Sequence, residues 1–155
     1  MPSWTDSQKQ AINARGTNLL ISAAAGSGKT AVMVERIFSL IASGESSVDR
    51  MLIVTFTNAA AASMRQKLAA KLDDALSQQP QNEIFIRQRQ LIDRANISTI
   101  HAFCTQLLRR YYFTTKLPPD FRLLDETQYA LMVSAATEQI LEEASKRYED
   151  GQWPE

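Results

Sequence analysis

The sequence predicts an α/β fold, a parallel sheet flanked by helices and followed by a helical insertion segment. Three observations lead there. Short apolar runs of strand length recur at residues 18–23, 50–57 and 96–100, with longer helix-forming stretches between them. The first two runs show no polar alternation, as strands covered on both faces require. Strand–helix–strand order of this kind is satisfied by right-handed crossovers between parallel strands.

Each element has its own reason. "TDSQKQAINAR" (5–15) reads as a helix with Thr5 as N-cap. "NLLISA" (18–23), with a β-branched centre, reads as a buried strand. "GKTAVMVERIFSLIAS" (28–43) carries apolar residues at 31, 32, 34, 37, 38, 40 and 41, which suits an enclosed helix stopped by Gly44. "RMLIVTFT" (50–57) is the second strand. "NAAAASMRQKLAAKLDDALSQ" (58–78) is an alanine-rich helix ended by Pro80, and "EIFIRQRQLIDRA" (83–95) is another amphipathic helix. "NISTI" (96–100) is the third strand. "HAFCTQLLRRYYFTTK" (101–116) is a helix with residues 103, 107, 108 and 111 on one apolar side. The loop "LPPDFRLLD" leads into a long acidic helix over 126–150. These shifts place a boundary near 124, with residues 1–124 as one unit and 125–155 as the start of a helical subdomain.

Composition excludes several classes. Hydrophobic residues at 45% and charged residues at 22% are globular values. No run approaches the roughly 20 apolar residues of a membrane span, and "MPSWTDSQKQ" has no signal-peptide core. The single cysteine, Cys104, excludes an internal disulfide framework, so a cytoplasmic protein is expected. The net charge of zero hides a split. Residues 1–124 hold fifteen Lys/Arg against nine Asp/Glu; residues 125–155 hold two against eight. A surplus of +6 attracts polyanions, and the −6 piece stands apart from it.

"ISAAAGSGKTAVMVERI" (21–37) gives up side-chain bulk from Ser22 to Gly28 and then presents Lys29. Ala23, Ala24, Ala25, Gly26, Ser27, Gly28, Lys29 and Thr30 match G-x-x-x-x-G-K-[ST] at every fixed position but the first. Small residues let backbone N–H groups close around phosphate oxygens, and the following helix adds its positive end. Lys29 would neutralise the β- and γ-phosphates of ATP, and the Thr30 hydroxyl would complete the Mg²⁺ shell. Ala23 stands where glycine is usual and is expected at negative φ.

Upstream, Gln8 offers an amide that would read an adenine edge; T-x-x-Q is equally a capping box bonded back to Thr5. Thr55, Phe56, Thr57 and Asn58 close the second strand, at the end where open α/β sheets bind ligands. Hydroxyls and helix amides suit phosphodiester contacts, and an exposed Phe56 would stack on a base. The alternative makes Phe56 core and Asn58 an N-cap. Thr99 and His101 close the third strand in the same way, His101 as a phosphate or sugar contact, a surface donor or a structural residue.

In this order and spacing, Gln8, A-x-x-G-x-G-K-T, "TFTNAAAASMRQKL" and "TIHAFCTQLLRR" resemble the opening motifs of UvrD/Rep-type superfamily 1 DNA helicases. "WTDSQKQAINARG", "SAAAGSGKTAVMVERI" and "HAFC" are most similar to AddA-type (RexA-type) helicase–nuclease subunits. The resemblance covers residues 4 to about 126. It implies a partial P-loop NTPase (RecA-like) sheet, with ATP and Mg²⁺ held by Gln8 and residues 23–30. It also implies contacts to single-stranded and duplex-end DNA through Thr55–Asn58 and Thr99–His101. The activity implied is an ATP-driven 3′-to-5′ helicase and nuclease that repairs double-strand breaks with an AddB/RexB partner. Ala59 and Ala31 replace a lysine and an arginine common in UvrD relatives, which removes two contacts without touching the core chemistry.

Hydrolysis also needs a strand-borne acidic pair and arginines from across a cleft. Asp125–Glu126 follows Pro118–Pro119 and opens a helix, so it reads as an N-terminal cap. The true pair, the second motor lobe and the nuclease are expected beyond residue 155, so this piece alone is not expected to unwind DNA. Other readings are the start of another UvrD-like helicase, a P-loop kinase, or a non-enzymatic nucleotide-binding module.

Overall fold

A computed structural model of the chain describes residues 4–24, 26–118 and 120–151. Its contacts form two compact units, Met1–Arg110 and Tyr111–Glu155.

In the first unit the order is α1 (Asp6–Asn13), α2 (Lys29–Ala42), β1 (Leu52–Thr55), α3 (Asn58–Gln78), α4 (Glu83–Leu91), β2 (Asn96–Thr99) and α5 (Ile100–Arg110). β1 and β2 pair in parallel, with Ile53 opposite Ile97 and Thr55 opposite Thr99. A 3₁₀ turn precedes each strand, at Val48–Arg50 and Ile92–Arg94.

The core lies where α2, α3 and α4 meet one face of this sheet. Ile41, Leu68 and Leu72 are wholly buried there, with Ile53 and Ile97 rising from the strands. Phe38 stacks on Phe85 with ring centroids 5.6 Å apart, and Lys71 lies over Phe38 while pairing with Glu35 at 2.6 Å. Buried Gln88 has partners at both ends of its amide. Its Oε1 accepts from the Val48 N–H at 2.8 Å and its Nε2 donates to the Ser47 hydroxyl at 2.8 Å, which fixes the turn into β1. A separate small core joins α1 to α2: Ala11, Ile12 and Val32, covered by Trp4.

Four expectations are corrected. Residues 18–23 form no strand, because they pair with no neighbour; a cleft of about 550 Å³ opens between Leu19 and Ile21 on one side and Val54 and Phe56 on the other. Only one face of the sheet is covered, so Leu52 and Val54 stay exposed. The helix expected over 83–95 tightens into 3₁₀ geometry after Leu91. The helix expected over 101–116 ends at Arg110, and its apolar side has no buried residue.

The second unit holds a 3₁₀ turn at Tyr112–Thr114 and α6 (Glu126–Glu149). Asp125 caps α6 in a capping box with Gln128: Oδ1 accepts from the Gln128 N–H at 2.8 Å, and Gln128 Oε1 accepts from the Asp125 N–H at 3.3 Å. Residues 121–125 are in no strand, as the sequence reading of Asp125 as a cap expects.

Candidate functional site

The loop ahead of α2 is shaped by two glycines. Gly26 has φ 78° and Gly28, the N-cap of α2, has φ 82°, left-handed values that an L side chain adopts only with strain. No described non-glycine residue has positive φ, so Ala23 sits as expected. Ala25 lies outside the described residues. No side chain caps the N-terminus of α2, which leaves its positive end available to an anion. Lys29 opens that helix and folds back, its Nζ donating to the Ala23 and Ala24 carbonyls at 2.7 Å each.

Gln8 takes the capping role and also reaches the loop. α1 begins with a capping box: the Thr5 hydroxyl accepts from the Gln8 N–H at 3.4 Å and Gln8 Oε1 accepts from the Thr5 N–H at 2.9 Å. Gln8 Nε2 meanwhile donates to the Ser27 carbonyl at 3.2 Å, so the helix end rests directly on the loop. A cleft of about 330 Å³ is lined there by Thr5, Gln8, Ala23, Ser27 and Lys29.

Lys29 also lines the 550 Å³ cleft, where Thr30, Thr55 and Phe56 join it. Thr30 is exposed beside Lys29 in that cleft, and a hydroxyl is the kind of oxygen that Mg²⁺ takes alongside water and phosphate. Among the described residues no three His, Cys, Asp or Glu side chains gather into a richer metal site.

The strand ends carry the rest. Thr55 Oγ1 donates to the Thr57 carbonyl at 2.9 Å, and the Thr57 hydroxyl accepts from the Ala60 N–H at 3.1 Å as the cap of α3. Capping therefore falls to Thr57; Asn58 is exposed in the first turn. Phe56 is 103% exposed, which removes the core alternative for it. At the end of β2, Thr99 Oγ1 accepts from the Ala102 N–H at 3.3 Å, and His101 is exposed in the first turn of α5. The parallel register puts Thr55 and Thr99 side by side at the C-terminal ends of the two strands.

Two arginines escaped the sequence reading. Arg36 of α2 places Nη1 within hydrogen-bond reach of the α1 carbonyls of Ala11 (2.7 Å) and Ile12 (3.3 Å) and of the C-cap carbonyl of Ala14 (2.6 Å). Arg15 reaches the Ile12 and Ala14 carbonyls at 2.8 and 3.1 Å, Ser39 Oγ at 3.0 Å and Glu45 Oε2 at 2.8 Å. Hydrogen bonds from the Ser43 hydroxyl and then from Arg15 hold the Glu45 carboxyl below the usual carboxylate range. Arg36 stands seven residues after Lys29, two turns along the same helix, but its partners lie 22 to 25 residues away and leave no local signal in the sequence.

The UvrD/REP helicase N-terminal domain model matches residues 4–154. The chain is 49% identical over 142 residues to the A subunit of an ATP-dependent helicase/nuclease from Thermoanaerobacter sp. (strain X514), covering 90% of this chain and 12% of that protein. It is 47% identical over 150 residues to the protein of the same name from Moorella thermoacetica, covering 96% and 11%. For the Heliobacterium modesticaldum protein the identity is 46% over 146 residues, covering 94% and 10%. The chain thus spans about a tenth of the length of these curated relatives. No helix among the described residues is long and apolar enough to cross a membrane.

Proposed function

The chain belongs to the UvrD/REP helicase N-terminal domain family, and from that premise we propose that it holds Mg·ATP for a DNA motor. In this reading residues 23–30 cradle the triphosphate, and Gln8 reads the base. Thr55, Thr57 and Asn58 with Thr99 and His101 touch the sugar–phosphate backbone of a single strand, and Phe56 stacks on a base. The observation that carries it is the placing of Lys29. It lines both the cleft shared with Gln8 and the cleft shared with Thr30, Thr55 and Phe56, so one cation adjoins a base-reading amide and a strand-end surface.

Phosphate oxygens would draw Lys29 Nζ from the Ala23 and Ala24 carbonyls, replacing two neutral acceptors with charged ones. The uncapped N–H groups of α2 would take the remaining phosphate oxygens. Thr30 would hold Mg²⁺, whose charge offsets that building on the phosphates during transfer. The acidic pair and arginines of hydrolysis are assigned to other parts of the full protein. Residues 1–124 then start the first motor lobe, and residues from 125 start an inserted helical subdomain.

At the level of the full protein, the reading is an ATP-dependent 3′-to-5′ helicase and exonuclease. It would act in the cytoplasm on duplex ends during double-strand break repair, with an AddB/RexB-type partner. Mg·ATP titrated against this chain tests the cradle. Lys29→Ala should weaken binding by about 1.5–3 kcal/mol, roughly ten- to a hundredfold in Kd. Equal binding in both chains overturns the assignment. ATP turnover by the full protein should rise with added single-stranded DNA; turnover indifferent to DNA would instead favour a small-molecule kinase.

A further inference from the structure

We propose that Arg36 is a positioning residue for base selection, setting how Gln8 lies over the nucleotide loop while touching no ligand itself. The inference rests on the assignment of residues 23–30 and Gln8 given above. α1 is eight residues long and its apolar hold on α2 is slight: Ala11 and Ile12 against Val32, under Trp4. The two helices nonetheless pack closely along their backbones, so polar ties decide the fine seating of the short helix rather than whether it docks. Polar ties set that seating at both ends. At the N-terminal end, Gln8 Nε2 meets the Ser27 carbonyl at 3.2 Å. At the C-terminal end, Arg36 Nη1 gathers the Ala11, Ile12 and Ala14 carbonyls, which end α1 with no partner inside the helix.

The geometry gives Arg36 a particular lever. It sits on α2, the helix that begins with Lys29, so the loop and the anchor of α1 ride on one rigid element. A guanidinium that fixes α1 to α2 therefore fixes the distance from Gln8 to Ser27, Gly28 and Lys29. Arg15 shares the Ile12 and Ala14 carbonyls but lies just past α1, outside both helices, and divides its donors with Ser39 and Glu45. Arg36 reaches α1 from the helix that carries the loop. Loss of Arg36 should therefore leave the phosphate cradle in place and displace only the base-reading amide.

The test measures binding of Mg·ATP, Mg·GTP and inorganic tripolyphosphate to the 155-residue chain and to Arg36→Met, Arg36→Lys, Gln8→Ala and the Gln8→Ala/Arg36→Met double variant. The chain should prefer ATP to GTP. Arg36→Met should lose most of that preference, with ATP weakened about tenfold and tripolyphosphate changed less than about twofold. Arg36→Lys, which keeps a donor cation, should recover part of the preference. The double variant should match Gln8→Ala alone, because Arg36 acts through Gln8. Parallel weakening of ATP and tripolyphosphate, or additive losses in the double variant, would overturn the role of Arg36. If the chain binds none of the three probes, the cradle itself fails and the inference falls with it. Tripolyphosphate binding with no base preference removes Gln8 as reader, and Arg36 with it, while leaving the cradle intact.

Discussion

Gly28 carries more of the loop than its missing side chain suggests. A Cβ built there would meet only Gln8 Nε2, at 3.5 Å, an ordinary contact, and one at Gly26 would meet nothing within 4 Å. Any cost of substitution is therefore conformational. Gly28→Ala and Gly26→Ala should each lower stability by about 1–2 kcal/mol, the cost of a left-handed L residue, read as a shifted urea midpoint at unchanged slope. A loss well beyond that would mean the φ values do not describe the loop. Glu45 makes a prediction with a sign. Its carboxyl is held below the usual range, chiefly by Ser43 and then Arg15, so its contribution is present above the ordinary carboxylate pKa and fades as pH falls through the lowered one. Glu45→Gln should flatten the acid limb of a stability–pH curve without raising stability near neutrality.

At the scale of elements, the helices were legible because their signals are local. Thr5 and Asp125 each supply the oxygen that caps the helix after them, Thr57 takes the cap that the sequence offered to Asn58, and Gly44 and Pro80 stop α2 and α3 close to the places their chemistry dictates. The stretch at 18–23 was not legible, since a strand is a relation between two segments. "NLLISA" has the composition of a strand and no partner to pair with. The same distinction runs through the site. The loop and Gln8 could be read from spacing, whereas the bond from Gln8 to Ser27 spans 19 residues and the hold of Arg36 on α1 spans 22 to 25. Long-range side-chain-to-carbonyl bonds leave no periodic trace. Packing makes the element-scale prediction: Leu68→Ala, at a wholly buried position between α2 and the sheet, should cost about 2–5 kcal/mol in chemical unfolding. A cost under about 1 kcal/mol would place α3 outside the core.

Across the whole molecule, charge is divided along the chain, with the surplus of positive residues in 1–124. If that part meets DNA through phosphates, affinity for a single strand should fall linearly on a log–log plot against salt, with a slope proportional to the phosphates neutralised. Phe56→Ala should lower affinity by about 1–3 kcal/mol and leave that slope unchanged, because stacking releases no counterions. A changed slope with unchanged affinity would assign Phe56 no base contact.

The unpaired run at 18–23 has a consequence for anyone handling this polypeptide. Leu20 is 94% exposed, and Leu19 and Ile21 flank it on a ribbon whose peptide groups have no ladder to join. Such a ribbon is expected to template addition from another molecule, so that the chain associates with itself as concentration rises. Leu20→Lys should suppress light scattering in concentrated solution while leaving the melting temperature within a degree or two, since the side chain it replaces supports nothing.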